Sequence, residues 1–236
     1  MKMQEVIIIL LNVFIDIGFR IPFLSFISNE LCVNILLVGY RGFGRSQGTP
    51  SENGLKLDGE AIASWAFSND SIAKQYIDQN NVFLFGRSLG GAVAAHVAVK
   101  MKLPFKGIII ENTFSSMGNL VDTLYPMLKM LKDYMLKNKW ETINIINAVP
   151  YPILFCRSER DELIPKVQMD ELYEKAKAAK FKRYYTIKNG THNEGFLYDK
   201  KGYKDALLDF INECNVNKTN ESIGKDTEEK ESKKDK

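Results

Sequence analysis

Residues 82–98 read Val82-Phe-Leu-Phe-Gly-Arg-Ser-Leu-Gly-Gly-Ala-Val-Ala-Ala-His-Val-Ala98. An apolar, aromatic-rich run stops at Gly-x-Ser-x-Gly, and a string of small helix formers follows. The pattern is strand, sharp turn, helix. A serine at the apex of such a turn takes a strained backbone conformation that lifts its hydroxyl above the sheet, and the flanking Gly86 and Gly90 leave room for neighbouring backbone. Ser88 is thus the candidate nucleophile. A phosphate-binding loop would need a Lys-Ser or Lys-Thr ending, and a dinucleotide site a different glycine spacing.

Working outward, the chain alternates short apolar runs with helical patterns. The β-branched run from Val6 predicts a buried strand; at about ten residues it is too short for a bilayer core that needs roughly 20. Pro22 opens a helix over 21–31. A second run, Asn34 to Val38, breaks at Gly39-Tyr-Arg-Gly-Phe-Gly-Arg-Ser-Gln-Gly-Thr-Pro50, a turn-rich loop at a strand's carboxyl end. Leu57, Ala61, Ile62, Trp65 and Ala66 predict an amphipathic helix over 55–67. Residues 69–81 are polar and less regular. Further strands are expected at 107–113, 153–157 and 183–187, with helices over 167–179 and 203–214. Such alternation predicts an α/β fold, a mostly parallel, doubly wound sheet with helices on both faces and its site beyond the carboxyl ends of the strands. One domain is expected over 1–214, with a cap-like helical insertion over 113–149 and a disordered charged tail over 215–236.

Bulk composition excludes several classes. With 32 basic and 29 acidic residues, the net charge of +3 is too small and too dispersed for a nucleic-acid partner. Cys32, Cys156 and Cys214 lack metal-ligand spacing, so neither a metal nor a cofactor is expected. Their odd number fits a reduced, cytoplasmic or cytosol-facing setting, with no transmembrane helix in the chain.

A serine hydroxyl needs a base, and the base needs an acid to fix its tautomer. There are two histidines. His96 lies among alanines and valines on the elbow helix and reads as structural. His192, in Lys188-Asn-Gly-Thr-His-Asn-Glu194 after a strand, reads as the base. For the acid, Arg157-Ser-Glu-Arg-Asp-Glu-Leu-Ile-Pro165 offers Glu159, Asp161 and Glu162; Asp161 is preferred because Leu163-Ile164-Pro165 anchors the loop beyond it. Glu111 is the rival. The order Ser, Asp, His is that of α/β-hydrolases.

The sequence resembles the alpha/beta-hydrolase-domain proteins, in the branch related to bud-emergence homologues and protein depalmitoylases. The resemblance rests on Tyr40 to Ser51, Leu55 to Asp58, Gly86 to Ala92, Ile110 to Ser116, Asp161 to Pro165 and Asn189 to Asn193, and covers about residues 17–211. It implies a Ser88, Asp161, His192 triad and hydrolysis of acyl esters or thioesters, including those of lipidated proteins, often with peripheral membrane contact. The rival expectation is a non-catalytic scaffold binding lipid or protein. One oxyanion donor would be the backbone N–H of Leu89. The other comes from a His-Gly-Asn loop in the family, which this chain replaces by Leu11-Asn12-Val13, leaving Asn12 at that place. The family also begins earlier, with an anchor and two further strands, so a shortened chain of reduced activity is expected: one lost oxyanion donor costs roughly 10² to 10³ in rate. The Leu120, Leu124, Leu128, Leu131, Met135 stripe reads as a packed crossover helix or an acyl-chain groove.

Overall fold

Each strand of the sheet runs the same way as its neighbours, and each after the first is fed by a crossover. The computed structural model describes residues 6–10, 17–37, 39–131, 134 and 136–232, with side chains described through residue 216 except at 6–10, 17 and 19. The strands are β1 (Val6–Leu10), β2 (Asn34–Leu37), β3 (Val82–Arg87), β4 (Gly107–Glu111), β5 (Ile153–Ser158) and β6 (Lys182–Ile187). They lie in the order β2-β1-β3-β4-β5-β6, all parallel. The order reverses beside β1, and β3 and β4 occupy the centre.

Helices cover both faces because the central strands are apolar on both. Val82 and Leu84 of β3 join one core, with Leu55 and Ala63 of α2 (Glu52–Ala66), the alanine-rich α4 (Leu89–Met101), and Met169 and Leu172 of α7 (Lys166–Lys175). Phe83 and Phe85 face the other core, with Phe23 and Ile27 of α1 (Ile21–Leu31) and Tyr203, Leu207 and Phe210 of α9 (Lys200–Ser232). Side chains of period two on β3 thus feed two separate cores.

The helix expected from Leu55 begins three residues earlier, because the Ser51 side chain accepts from the Gly54 N–H and caps it. The polar stretch before β3 holds a short helix, α3 (Ser71–Tyr76), capped by Asp70. Between β4 and β5 lie α5 (Met117–Leu124), a 3₁₀ turn at Pro126–Leu128 and α6 (Thr142–Ile145). The remaining helix is α8 (Gly195–Tyr198). The segment 215–232, expected to be disordered, continues α9 to Ser232. Adding residues to an anchored helix avoids the cost of a new nucleus, and lysine and glutamate are good helix formers.

Candidate active site

Three strand ends build the site. Ser88 links β3 to α4 at φ 53° and ψ −124°, a left-side conformation unusual for a residue with a side chain. Glycines make the turn possible. A Cβ on Gly86 would lie 2.3 Å from the Gly90 carbonyl oxygen, and one on Gly91 would lie 1.8 Å from Thr113 Oγ1. The Ser88 backbone is pinned at both ends: its N–H donates to the Glu111 carbonyl at 2.8 Å, and its carbonyl accepts from Thr113 Oγ1 at 3.0 Å.

The Leu89 N–H is in the first turn of α4, among the amides that lack an acceptor within their own helix. At the positive end of the helix dipole it is a ready donor to a developing oxyanion. Asn12 lies outside the described residues, as does the rest of the 11–16 segment.

The second strand end carries the acid. Asp161 Oδ1 accepts from the N–H groups of Leu163 and Ile164, fixing the loop, while Oδ2 sits 2.8 Å from His192 Nδ1. Both side chains are almost wholly buried, at 4% and 1% exposure. This bond orients the imidazole and leaves Nε2 as the ring nitrogen not held by the carboxylate. Nε2 is buried without a hydrogen-bond partner. No direct bond to the Ser88 hydroxyl is therefore formed here, as is common before substrate closes such a site.

The backbone nevertheless brings the serine and histidine segments together. Arg87, next to Ser88, donates from Nη1 to the carbonyl of Asn193, next to His192, at 3.2 Å. Arg20 Nη2 donates to Asn193 Oδ1 at 2.9 Å. Burial and the nearby Arg87 charge lower Arg20 to about 10, leaving it protonated at neutral pH. The other acids of the 159–162 loop serve the histidine loop differently: Glu162 accepts from the His192 N–H and Glu159 from the Asn189 N–H. The rival acid, Glu111, is fully buried against Arg87 and Tyr203 and bonds to no histidine. His96 pairs with Glu60 at 2.7 Å, consistent with a structural role.

Sequence reasoning missed Arg20, Arg87 and Asn112, whose partners lie far away along the chain. Above Ser88 opens a cavity of about 750 Å³ lined by Leu89, Phe43, Leu55, Phe114, Met117 and Leu120 among others. Its wall is mostly apolar, and its volume is ample for a flexible chain. The Leu120 and Leu124 positions of the α5 stripe line it, so that stripe faces the cavity as well as the core. Among the described residues no group of histidines, cysteines and carboxylates could hold a metal.

Residues 53–137 match the family model of the alpha/beta hydrolase fold. The chain is 30% identical to Protein bem46 of Schizosaccharomyces pombe over 86% of its own length and 65% of that protein's. It is 32% identical to the uncharacterized membrane protein YNL320W of Saccharomyces cerevisiae, over 83% of this chain and 66% of that one. The chain has the α/β-hydrolase fold and is similar to the bem46 branch of α/β-hydrolase-domain proteins. It spans about two thirds of the length of these curated relatives. The esterase Pf2001 of Pyrococcus furiosus superposes with a TM-score of 0.70 at 17% identity, covering 90% of this chain and 82% of that one, a likeness of fold. For an α/β-hydrolase, the positions of Ser88, Asp161 and His192 at the ends of three strands are those at which the fold carries chemistry.

Proposed function

We propose that this α/β-hydrolase cleaves acyl esters or thioesters through a Ser88 acyl-enzyme. The observation that carries the reading is the His192 imidazole, tethered by Nδ1 to Asp161 with Nε2 unpartnered, on a loop bonded to the residue before Ser88. Ser88 Oγ attacks the acyl carbonyl carbon as His192 Nε2 takes its proton. The oxyanion gathers on the Leu89 N–H. Collapse breaks the acyl C–O or C–S bond, and His192 returns the proton to the departing alcohol or thiol. Water, deprotonated by the same nitrogen, then releases the carboxylic acid and restores Ser88.

The apolar cavity above Ser88 supports an acyl chain as the recognised part, and thioesters of lipidated proteins fall in this class. Met127, Met130 and Tyr134, in the segment that follows Leu124, stand 87%, 90% and 92% exposed, with Lys129 and Lys137 in the same stretch of sequence. Exposed apolar groups interleaved with lysines suit peripheral contact with an anionic, cytosol-facing membrane from which an acyl chain could enter. The described residues contain no helix long and apolar enough to cross a membrane.

A fluorophosphonate probe tests the catalytic reading. Labelling should occur in the native chain, vanish in Ser88→Ala and fall sharply in His192→Ala. A correctly folded chain that takes no label would instead be a non-catalytic scaffold binding lipid or protein.

A further inference from the structure

Three consecutive residues at the end of β4 bond to the Ser88 backbone, to Ser158 and to the His192 carbonyl. The Glu111 carbonyl accepts from the Ser88 N–H, and the Thr113 hydroxyl donates to the Ser88 carbonyl. Between them, Asn112 is fully buried with φ 46°, a left-handed conformation that asparagine tolerates better than most residues with a side chain. Its Oδ1 accepts from the Ser158 N–H at 2.7 Å. Its Nδ2 donates to Ser158 Oγ and to the carbonyl oxygen of His192, each at 3.0 Å. The Asn112 N–H itself donates to the Cys156 carbonyl.

We propose that Asn112 is the positioning residue of the site, one buried amide that fixes His192 and the launch point of the Asp161 loop relative to the Ser88 elbow. The chemistry of the amide accounts for the residue type. Both N–H donors and one acceptor position are used, so a carboxylate of the same shape would keep the bond from the Ser158 N–H but would face the His192 carbonyl with a second acceptor. Ser158 ends β5, three residues before Asp161. A single side chain thus couples base and acid, while its two neighbours hold the nucleophile. A displacement of about 1 Å at such a point costs on the order of 10²-fold in rate. Asn112 touches no substrate atom and acts only through His192 and the 158–161 segment.

The assignment rests on the catalytic reading for its kinetics alone, because the histidine can be observed directly. The chain has two histidines, so ¹⁵N-histidine labelling gives two imidazoles, and His96 on α4 is an internal reference. Asn112→Gly removes the amide with no penalty for the positive φ, and Asn112→Asp replaces only its donor end. In both, the hydrogen-bonded Nδ1 proton of His192 should broaden or move upfield while the His96 resonances stay put. With a short-chain activated ester, kcat should fall about 10- to 100-fold and KM should change by less than about 3-fold. Folded variants with unchanged His192 resonances overturn the proposal, whatever the activity. So does failure of both variants to fold, which would make Asn112 a residue of general stability. If the native chain neither hydrolyses ester nor takes the fluorophosphonate, the catalytic reading fails, and the resonance shifts alone decide whether Asn112 positions His192.

Discussion

Arg87 and Glu111 are cross-strand register partners at the carboxyl ends of β3 and β4, with Nε 2.8 Å from Oε1 and neither side chain reaching solvent. The Arg87 guanidinium also lies 4.2 Å from the Phe23 ring centroid, and Tyr203 donates its hydroxyl to Glu111. Burial alone would lower the Arg87 pKa, but the Glu111 carboxylate outweighs it and the guanidinium is held more strongly protonated than usual. Burial and the same carboxylate push the Tyr203 hydroxyl well above its ordinary range, so it stays a donor.

Removing one partner of this pair leaves the other charged and buried. Arg87→Met should therefore cost about 3–5 kcal/mol in chemical denaturation. The double variant Arg87→Met with Glu111→Gln should recover part of that loss, since the uncharged amide oxygen can still accept from Tyr203. A single variant that denatures like the native chain would show that the pair is not buried as described.

The elbow makes a sharper steric prediction. Because a Cβ at Gly91 meets Thr113 Oγ1 at 1.8 Å, Gly91→Ala must push α4 away from the tripeptide that pins Ser88. A loss of about 1–3 kcal/mol is expected from such overpacking, accompanied by slower fluorophosphonate labelling. Labelling at the native rate would mean that α4 and residue 113 do not pack this closely.

How much of this was legible depended on distance along the chain. The elbow could be read because strand, turn and helix are contiguous and Gly86 and Gly90 leave a local signature. Asp161 and His192 were chosen from their places after strands, since a parallel sheet brings strand ends to one edge. Choosing Asp161 over Glu159 and Glu162 needed the apolar anchor beyond it, and the structure shows why all three are acids: one holds the ring and two hold backbone of the histidine loop. Asn112 stood in one of the stretches that carry the family resemblance, but its role gave no signal, because its bonds reach 46 and 80 residues away. Helix α3 was missed because six residues show too little periodicity, and its Asp70 cap was the only local clue.

The crossover over the cavity should be sensitive to acid. Glu52, at the start of α2, accepts from the Lys139 and Trp140 N–H groups and pairs with Lys56. Partial burial would raise its pKa, but the Lys56 side chain and the two N–H donors outweigh it and hold the carboxyl below its ordinary value. The unfolded chain thus takes up the proton first as pH falls. The stabilisation is complete above the ordinary value of about 4.3 and disappears below it, as pH drops through the folded value. Because the group is partly solvated, Glu52→Gln should cost no more than about 1 kcal/mol at neutral pH. Thermal melts of the two chains should differ at pH 7 and converge towards pH 3; a constant difference would mean that the carboxylate charge is not what holds residues 139 and 140.

The cavity makes the last prediction, which separates acyl-chain recognition from mere reactivity at Ser88. Leu120 lines the cavity from α5, whereas Ser88 and Leu89 line it from the elbow, so a larger side chain at 120 takes volume from an element that carries none of the candidate reacting groups. Leu120→Trp should leave hydrolysis of an acetyl ester within about 3-fold of the native rate, since a two-carbon acyl group needs little of the cavity. For a long-chain ester the lost space must be recovered by displacing the chain or the crossover, and overpacking of this kind costs about 1–3 kcal/mol. A penalty of that size is a fall of roughly 5- to 150-fold in kcat/KM, borne by the long substrate alone. A matched series of 4-nitrophenyl esters from two to sixteen carbons reads the effect directly. If the native chain and Leu120→Trp show the same dependence on chain length, the acyl group does not occupy this cavity and must be bound elsewhere on the chain.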